Sequence, residues 1–135
     1  MVEITVLYEG DLRCKAVHGP SGTSFETDAP KDNQGKGESF SPTDLVATAL
    51  GSCMATVMGI AARNLQLDIK STKVMVRKEM QSTPLRRIAS LGVHIHVPVK
   101  ATTEQKQKLI DAALSCPVHK SLHPDVAMPI EFTWE

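Results

Sequence analysis

The sequence has no excess of charge of either sign. Its 135 residues include 15 lysines and arginines and 15 aspartates and glutamates, which gives a formal net charge of zero, and no block of like charges occurs. A protein that binds nucleic acid through its phosphates needs a basic patch. The composition therefore argues against nucleic acid as a partner.

The sequence also lacks several short motifs that carry well-known chemistry. It contains no GxGxxG, no P-loop and no GxSxG, so the usual signals of nucleotide-binding proteins and serine hydrolases are absent. Residues Met1 to Glu3 include an acidic side chain and lead directly into a strand pattern, so we expect neither a signal peptide nor a transit peptide. We therefore expect a cytoplasmic protein without a bound cofactor.

Cysteine is scarce, with only Cys14, Cys53 and Cys116. Three cysteines are too few, and odd in number, for the disulfide framework of a small secreted protein. In a reducing compartment these residues are thiols. Any pair among them is then expected to be catalytic or redox-sensing.

The longest stretch without charge runs from Leu45 to Ala62 and covers 18 residues. Its start has the marks of a helix N-terminus, because Ser41 suits the N-cap, Pro42 the first helical position and Asp44 the first turn. The length reaches the lower limit of a membrane span, but the run is rich in alanine and contains glycine, serine and threonine. We therefore predict a buried helix and no membrane partner.

The predicted helix has two different faces. At about 100° per residue, small side chains form a ridge on one face, and Cys53 lies about 180° away among aliphatic residues. A helix that is apolar all round must be enclosed on all sides, and a chain of 135 residues is short for this task. A second copy of the chain would supply the missing cover. The ridge comprises Ala47, Gly51, Ala55 and Gly59.

Strand patterns flank this helix on both sides. The order is β-β-β-α-β-β-α-β, an α+β fold, and no repeat or linker divides residues 1–135, which we predict to be a single domain. A second helix begins at Thr102, which makes a capping box with Gln105, and runs to about Ser115. The predicted strands are Val2 to Tyr8, Leu12 to His18, Ser24 to Thr27, Ile69 to Met80, Ile88 to Val97 and Val126 to Trp134.

Cys53 and Cys116 occupy different helical environments. Cys116 precedes Pro117 and suits the cap of a short helical turn, so we expect free N–H groups and the helix dipole to lower the pKa of its thiol. Cys53 lies in mid-helix, and no cation lies between Asp44 and Arg63. A reactive Cys53 therefore needs a cation from elsewhere; without one it is a small buried hydrophobe, as free cysteines commonly are.

The first hairpin offers the main candidate for this cation, Arg13. The second hairpin offers three alternatives, Arg77, Arg86 and Arg87. An opposite charge beside a thiol favours the thiolate, which is the nucleophilic form.

Histidines near Cys116 suggest a different site. Cys116, His119 and His123, together with Cys53, could bind zinc. The spacing is loose, however, and no second CxxC or CxxH pair completes a tetrahedral site, so we expect no metal. His94 and His96 share one strand face, where we expect them to border solvent or a subunit interface.

Three stretches together resemble the OsmC/Ohr family, and the resemblance runs over nearly the whole chain. They are SPTDL at 41–45, ALGSC at 49–53, and CPVH at 116–119 followed by Ser121-Leu122. The order of helices and strands agrees with this family as well. Within it, the chain is most similar to the OsmC-like branch.

The resemblance implies an intertwined homodimer with a long buried central helix and two sites at the subunit interface. It implies a thiol-dependent peroxidase of the oxidative stress response that reduces organic hydroperoxides. Cys53 would form a sulfenic acid, Cys116 would resolve it as a disulfide, and an external dithiol or lipoyl-type reductant would regenerate the pair. The alternative is a non-enzymatic dimeric binding protein for a small apolar ligand, in which Cys53 only lines the pocket.

The charged residues match the family less directly. The family pairs its reactive cysteine with an arginine from the N-terminal hairpin and a glutamate directly after the Asn-Pro that opens the helix motif. Here a threonine follows Pro42 and Asp44 comes next, nine residues before Cys53, which is about 13 Å along a continuous helix. Glu38, in the preceding loop, is the other candidate carboxylate, and Arg13 is the candidate arginine.

Overall fold

The computed structural model describes residues Met1–Glu135 and divides them into two compact units. The first unit comprises Met1–Val46 and the second Ala47–Glu135. The assignment of the chain to a single domain stays a prediction. The predicted order of helices and strands is confirmed, and the short helical turn expected after Cys116 is present.

The first unit contains a three-stranded antiparallel meander of β1 (Ile4–Gly10), β2 (Arg13–His18) and β3 (Ser24–Glu26), in that order. The β1–β2 turn has three successive residues with positive φ, beginning at Gly10 with a φ of 86°. The predicted buried face of β1 is absent within one chain. Its alternating apolar residues are all about 60% exposed, at 62% for Ile4, 60% for Val6 and 63% for Tyr8.

A loop with one 3₁₀ turn, Lys31–Asn33, connects this meander to the long helix. Gly35 lies where a Cβ atom would overlap the carbonyl oxygen of Ala29. Its own N–H donates to the carbonyl of Pro30 at 3.0 Å. Only glycine therefore allows the two sides of the loop to approach this closely.

Helix α1 spans Pro42–Asn64 and begins at the predicted residue. The N–H of Ser41 donates to Oδ2 of Asp44 at 2.9 Å, and the N–H of Asp44 donates to Oγ of Ser41 at 3.1 Å. This reciprocal pair has the geometry of a capping box, with aspartate in place of the usual glutamate. It explains why the helix starts here.

Only part of α1 is covered within the chain. Leu50, Met54 and Met58 are fully buried, whereas Ile60 is 57% exposed. The ridge of small residues is also covered unevenly. A Cβ atom added at Gly51 would lie 3.0 Å from a methyl group of Val76, so this position is tightly packed. A Cβ atom added at Gly59 would meet nothing within 4 Å, so that position is open. By length and composition α1 could span a membrane, a test that core helices of soluble proteins also pass.

The second unit contains a mixed sheet of β4 (Lys73–Gln81), β5 (Arg87–Val97) and β6 (Ile130–Trp134), in that order. β5 pairs antiparallel with β4 and parallel with β6. β4 starts later than predicted because Ile69 accepts a hydrogen bond from the Thr72 hydroxyl in a turn. β6 also starts later, although Ala127 already forms an isolated bridge with Ser90.

Two further helices follow β5. Helix α2 spans Thr103–Leu114, and the predicted capping box between Thr102 and Gln105 is present. Helix α3 spans Pro117–Ser121, with Cys116 at its N-cap. The inward side of β5 and the inner face of α2 supply the rest of the core, with Leu91, Val93, Ile95, Val97, Leu109 and Ala113 all buried.

Candidate functional site

The second unit brings Cys53 and Cys116 together. Cys53 lies on α1 and is partly exposed, whereas Cys116 is fully buried at the start of α3. Cys53 is close enough to raise the pKa of the Cys116 thiol, and both residues are free thiols. Residues 63 positions apart in the sequence therefore form a thiol pair at the junction of α1 and α3.

The prediction of a lowered pKa for Cys116 is wrong. Burial raises the pKa of the Cys116 thiol, and the neighbouring Cys53 thiol raises it further. The backbone N–H groups of His119 and Val118 act in the opposite direction, and the former donates to Sγ of Cys116 at 3.4 Å. The N-terminus of a five-residue helix stabilises the thiolate too little to offset the effect of complete burial. Cys116 therefore keeps its proton.

The first unit brings Arg13 and Glu38 together. Nη2 of Arg13 lies 2.5 Å from Oε2 of Glu38 and 3.5 Å from Oδ2 of Asp28. The hydrogen bond and the charge of Glu38 raise the pKa of Arg13 above its already high ordinary value. Arg13 is therefore a permanent cation, and two carboxylates fix the orientation of its guanidinium group.

Asp28 is the residue of this cluster that sequence analysis missed. Its side chain is 2% exposed, and its carboxylate accepts a hydrogen bond from the backbone N–H of Glu38 at 3.0 Å. This bond, followed by the charge of Arg13, lowers the pKa of Asp28 despite burial. The sequence feature that could have indicated Asp28 is its place as the first residue of the loop that also carries Glu38.

Asp44 lies at the start of α1, where it caps the helix together with Ser41. This position is the first-turn role expected of an aspartate at a helix N-terminus. A catalytic role for Asp44 stays a prediction. Of the alternative arginines, Arg87 donates to the carbonyl of Ile88 at 2.9 Å, and Arg77 lies exposed on β4.

The histidines near Cys116 do not form a metal centre. No group of three or more histidine, cysteine, aspartate or glutamate side chains is arranged to hold a metal ion. The ring of His123 is turned towards the backbone N–H of Asp125, at 3.0 Å. His119 is different, because its Nδ1 is buried and has no hydrogen-bond partner.

His94 and His96 lie on the outer side of β5, as predicted for residues that border solvent or an interface. Both rings contact the hydroxyl of Thr133, at 3.1 and 2.9 Å. His96 also lies 3.7 Å from a carboxylate oxygen of Glu135. This polar cluster contains neither cysteine of the thiol pair.

Comparison with known proteins identifies a family. The model of a family described as OsmC-like protein matches residues 35–131. A search of curated protein sequences found no match. A solved structure from Psychrobacter arcticus 273-4, named as a candidate osmotic stress induced and detoxification response protein, is 44% identical to this chain. It superposes with a TM-score of 0.92 over 98% of this chain and 96% of that chain.

More distant structures share the fold. The organic hydroperoxide resistance protein OhrB of Bacillus subtilis is 16% identical, with a TM-score of 0.70 over 98% of each chain. An organic hydroperoxide resistance protein of Elizabethkingia anophelis is 16% identical, with a TM-score of 0.79 over 100% of this chain and 96% of that chain. With most of its length matched by the family model, and with a 44% identical relative of nearly equal length, the chain belongs to the OsmC-like protein family.

Proposed function

We propose that this protein is a thiol-dependent peroxidase that reduces organic hydroperoxides through Cys53 and Cys116. The proximity of these two thiols, through which Cys53 raises the pKa of Cys116, is the observation that supports the proposal most directly. Structural neighbours named organic hydroperoxide resistance proteins support the substrate class. The partly exposed cysteine meets the substrate, and the buried one completes the reaction.

In the first step, the Cys53 thiolate attacks an oxygen of the hydroperoxide. The O–O bond breaks and an S–O bond forms, so Cys53 becomes a sulfenic acid, and the expelled alkoxide leaves as the alcohol after it takes up the proton that the Cys53 thiol had released. In the second step, the sulfur of Cys116 attacks the sulfur of Cys53. The S–S bond forms, the S–O bond breaks, and water leaves.

A third step returns the enzyme to its starting state. An external dithiol, of which a lipoyl group is one kind, attacks the Cys53–Cys116 disulfide by thiol–disulfide exchange. Its own two sulfurs become a disulfide, and both cysteines are again thiols. No bound cofactor takes part.

The proton on Cys116 supports this division of roles. A thiol that keeps its proton is a poor nucleophile towards peroxide, because the thiolate is the reactive form. Cys116, with its raised pKa, therefore stays protonated beside Cys53. It acts only after Cys53 has been oxidised.

A cation should assist Cys53, and Arg13 is the proposed source. Its charge is permanent, and two carboxylates restrain its guanidinium. Within this proposal, Glu38 takes the part of the glutamate that the family places at the start of the helix motif. Asp44 remains the second candidate for that part.

A homodimer is the proposed working form, in the cytoplasm. Ile4, Val6 and Tyr8 on β1 and Ile60 on α1 are exposed apolar side chains. Their burial against a second copy would be favourable by about 25 cal/mol per Å². The same contact would enclose the uncovered part of α1.

The experiment that tests this function is a single turnover with one equivalent of cumene hydroperoxide. We expect one Cys53–Cys116 disulfide by peptide mass spectrometry, while Cys14 stays a thiol and serves as the internal control. Cys53→Ser should abolish peroxide consumption, whereas Cys116→Ser should consume peroxide and accumulate sulfenic acid. If all three thiols stay free in the wild-type protein, it is not a peroxidase, and retained binding of an apolar ligand by Cys53→Ser would favour a binding protein.

A further inference from the structure

His94 and His96, on the middle strand of the sheet formed by β4, β5 and β6, direct their rings at one point. They lie two residues apart on β5, so both side chains project from the same side of the sheet. Nε2 of His94 lies 3.1 Å from Oγ1 of Thr133, and Nδ1 of His96 lies 2.9 Å from the same oxygen. Two imidazole nitrogens therefore converge on a single position beside β6.

The hydroxyl of Thr133 cannot donate to both nitrogens. A hydroxyl has one proton, so only one ring nitrogen can accept it, and the other ring must turn its own N–H towards the oxygen. A metal ion has no such restriction, because it accepts a lone pair from each of two imidazoles at once. Two ring nitrogens that converge on one point are the arrangement that chelation of a metal ion requires.

The second ring nitrogen of His96 faces a carboxylate. Its Nε2 lies 3.7 Å from Oε2 of Glu135, whose backbone N–H donates to the carbonyl of Val97 at 3.2 Å and so holds this residue beside β5. A carboxylate near one ring nitrogen favours the proton on that nitrogen and leaves the lone pair on the other. His96 is therefore oriented to offer Nδ1 as a ligand.

The charges nearest to the shared oxygen are negative. Glu131 and Glu135 lie two residues to either side of Thr133, so their side chains project from the same side of the sheet. The basic residues of this side, Lys73 and Arg77, belong to β4 and lie across β5 from these carboxylates. The electrostatic surroundings on the β6 side of the histidine pair thus favour a cation.

The set of donors favours copper(II) over zinc. Zinc sites in proteins use three or four protein ligands, and no third histidine, cysteine, aspartate or glutamate joins this pair in a metal-binding arrangement. Cu²⁺ binds nitrogen and oxygen ligands more tightly than the other divalent first-row metals do, in a tetragonal geometry. The side chain of His96 is 42% exposed, so water can reach the remaining ligand positions.

We propose that His94 and His96 chelate one Cu²⁺ ion, through Nε2 and Nδ1 respectively, on the outer side of this sheet. Metal–imidazole bonds are about 2.0–2.1 Å long, so each nitrogen would move about 1 Å closer to the position that the Thr133 oxygen now occupies. Water would complete the coordination. The site contains neither Cys53 nor Cys116, and the inference is independent of the peroxidase function proposed above.

Titration of the untagged protein with Cu²⁺ would test this site. Thiols also bind and reduce copper, so the titration uses the full chain with Cys14→Ser, Cys53→Ser and Cys116→Ser combined. Isothermal titration calorimetry should give one Cu²⁺ ion per chain, and electron paramagnetic resonance should show coupling to two nitrogens. His94→Asn and His96→Asn, each added to this protein, should lower the affinity at least about 10-fold.

His123→Asn is the matched control, because His123 is an exposed histidine outside this pair, and it should leave the copper affinity unchanged. Glu135→Gln should lower the affinity by a smaller factor than loss of either ligand, since Glu135 only orients the His96 ring. Thermal denaturation would establish that each protein is folded. If the serine background does not fold, Ni²⁺, which imidazole also binds, would be titrated into the wild-type chain and into His94→Asn, with the same expected loss.

Three outcomes would overturn the proposal. The first is equal copper affinity after both histidines have been replaced, and the second is a resonance spectrum with coupling to fewer than two nitrogens. The third is a comparable loss of affinity in His123→Asn, because copper would then be bound elsewhere. If an asparagine variant does not fold, the spectrum of the intact histidine pair decides the question by itself.

Discussion

The buried carboxylate of Asp28 accepts a hydrogen bond from the backbone N–H of Glu38 at 3.0 Å. The same carboxylate faces the guanidinium of Arg13, which is also bound by the Glu38 side chain. One residue thus ties together the end of the N-terminal sheet, the loop before α1 and the cation of the first hairpin. The orientation of Arg13 depends on a loop that has little regular structure of its own.

Loss of the Asp28 charge should destabilise the protein in a pH-dependent way. The folded protein lowers the pKa of Asp28, so the ionised form contributes stability above the ordinary aspartate pKa of about 3.9. That contribution disappears as the pH falls through the lower, folded value. We expect Asp28→Asn to lower the Tm at neutral pH, and the difference from wild type to shrink in acid.

Thermal denaturation between neutral and strongly acidic pH would measure this difference. The exposed Glu9 is the matched control, and Glu9→Gln should leave the Tm near that of wild type throughout. A Tm difference for Asp28→Asn that is constant across the whole range would contradict the ionic explanation.

Gly51→Ala should destabilise the fold although alanine favours helices. The added Cβ would lie 3.0 Å from one methyl group of Val76 and 3.3 Å from one of Val74, both on β4. Overpacking of this kind costs about 1–3 kcal/mol, whereas replacing glycine in a helix gains about 1 kcal/mol. We expect a net loss of roughly 1 kcal/mol in the free energy of unfolding, measured by urea denaturation.

Gly59→Ala on the same helix is the control for helix propensity. No atom lies within 4 Å of its Cβ position in the single chain, so the variant should gain up to about 1 kcal/mol. A loss of stability at Gly59 would indicate that a second copy of the chain packs against this position.

Arg13→Ala should slow the oxidation of Cys53 if Arg13 supplies the missing cation. We expect a fall of at least about tenfold in the second-order rate with cumene hydroperoxide, corresponding to roughly 1.4 kcal/mol of lost stabilisation. Glu38→Gln should give a smaller effect, because Asp28 still holds the guanidinium. Arg77→Ala tests an alternative arginine, and a larger effect there than at Arg13 would refute the assignment.

The exposed apolar side chains of β1 predict a stable dimer. Sedimentation equilibrium should give twice the chain mass of 14.7 kDa at micromolar concentration. Val6→Asp would place a charge among the exposed side chains and should shift the equilibrium to monomer, whereas a substitution of the exposed polar Glu3 should not. A wild-type protein that sediments as a monomer would exclude the interface.

Several features followed from short-range sequence patterns. Ser41 and Asp44, and Thr102 and Gln105, lie three residues apart and cap their helices as predicted, because these hydrogen bonds form within one helical turn. The alternation of apolar and polar residues also located the strands, because this two-residue period can be read from neighbouring residues alone. The predicted strand boundaries were wrong where a turn precedes the strand, as at Thr72 before β4.

The three stretches that resemble the OsmC/Ohr family were sufficient to predict the family and its fold. The prediction of Cys53 and Cys116 as a functional pair came from this resemblance and not from their spacing. Their assignment as catalytic residues still awaits the single-turnover experiment.

What the sequence determined by itself was therefore the helix starts, the order of the elements and the family. Tertiary structure decided the electrostatics. It reversed the expected direction of the Cys116 pKa, because complete burial outweighs two backbone N–H groups, and it joined Arg13 to Asp28 and Glu38 across 15 and 25 residues. Burial and ion pairing depend on groups that are distant in the chain, so they cannot be predicted from the pattern of neighbouring residues.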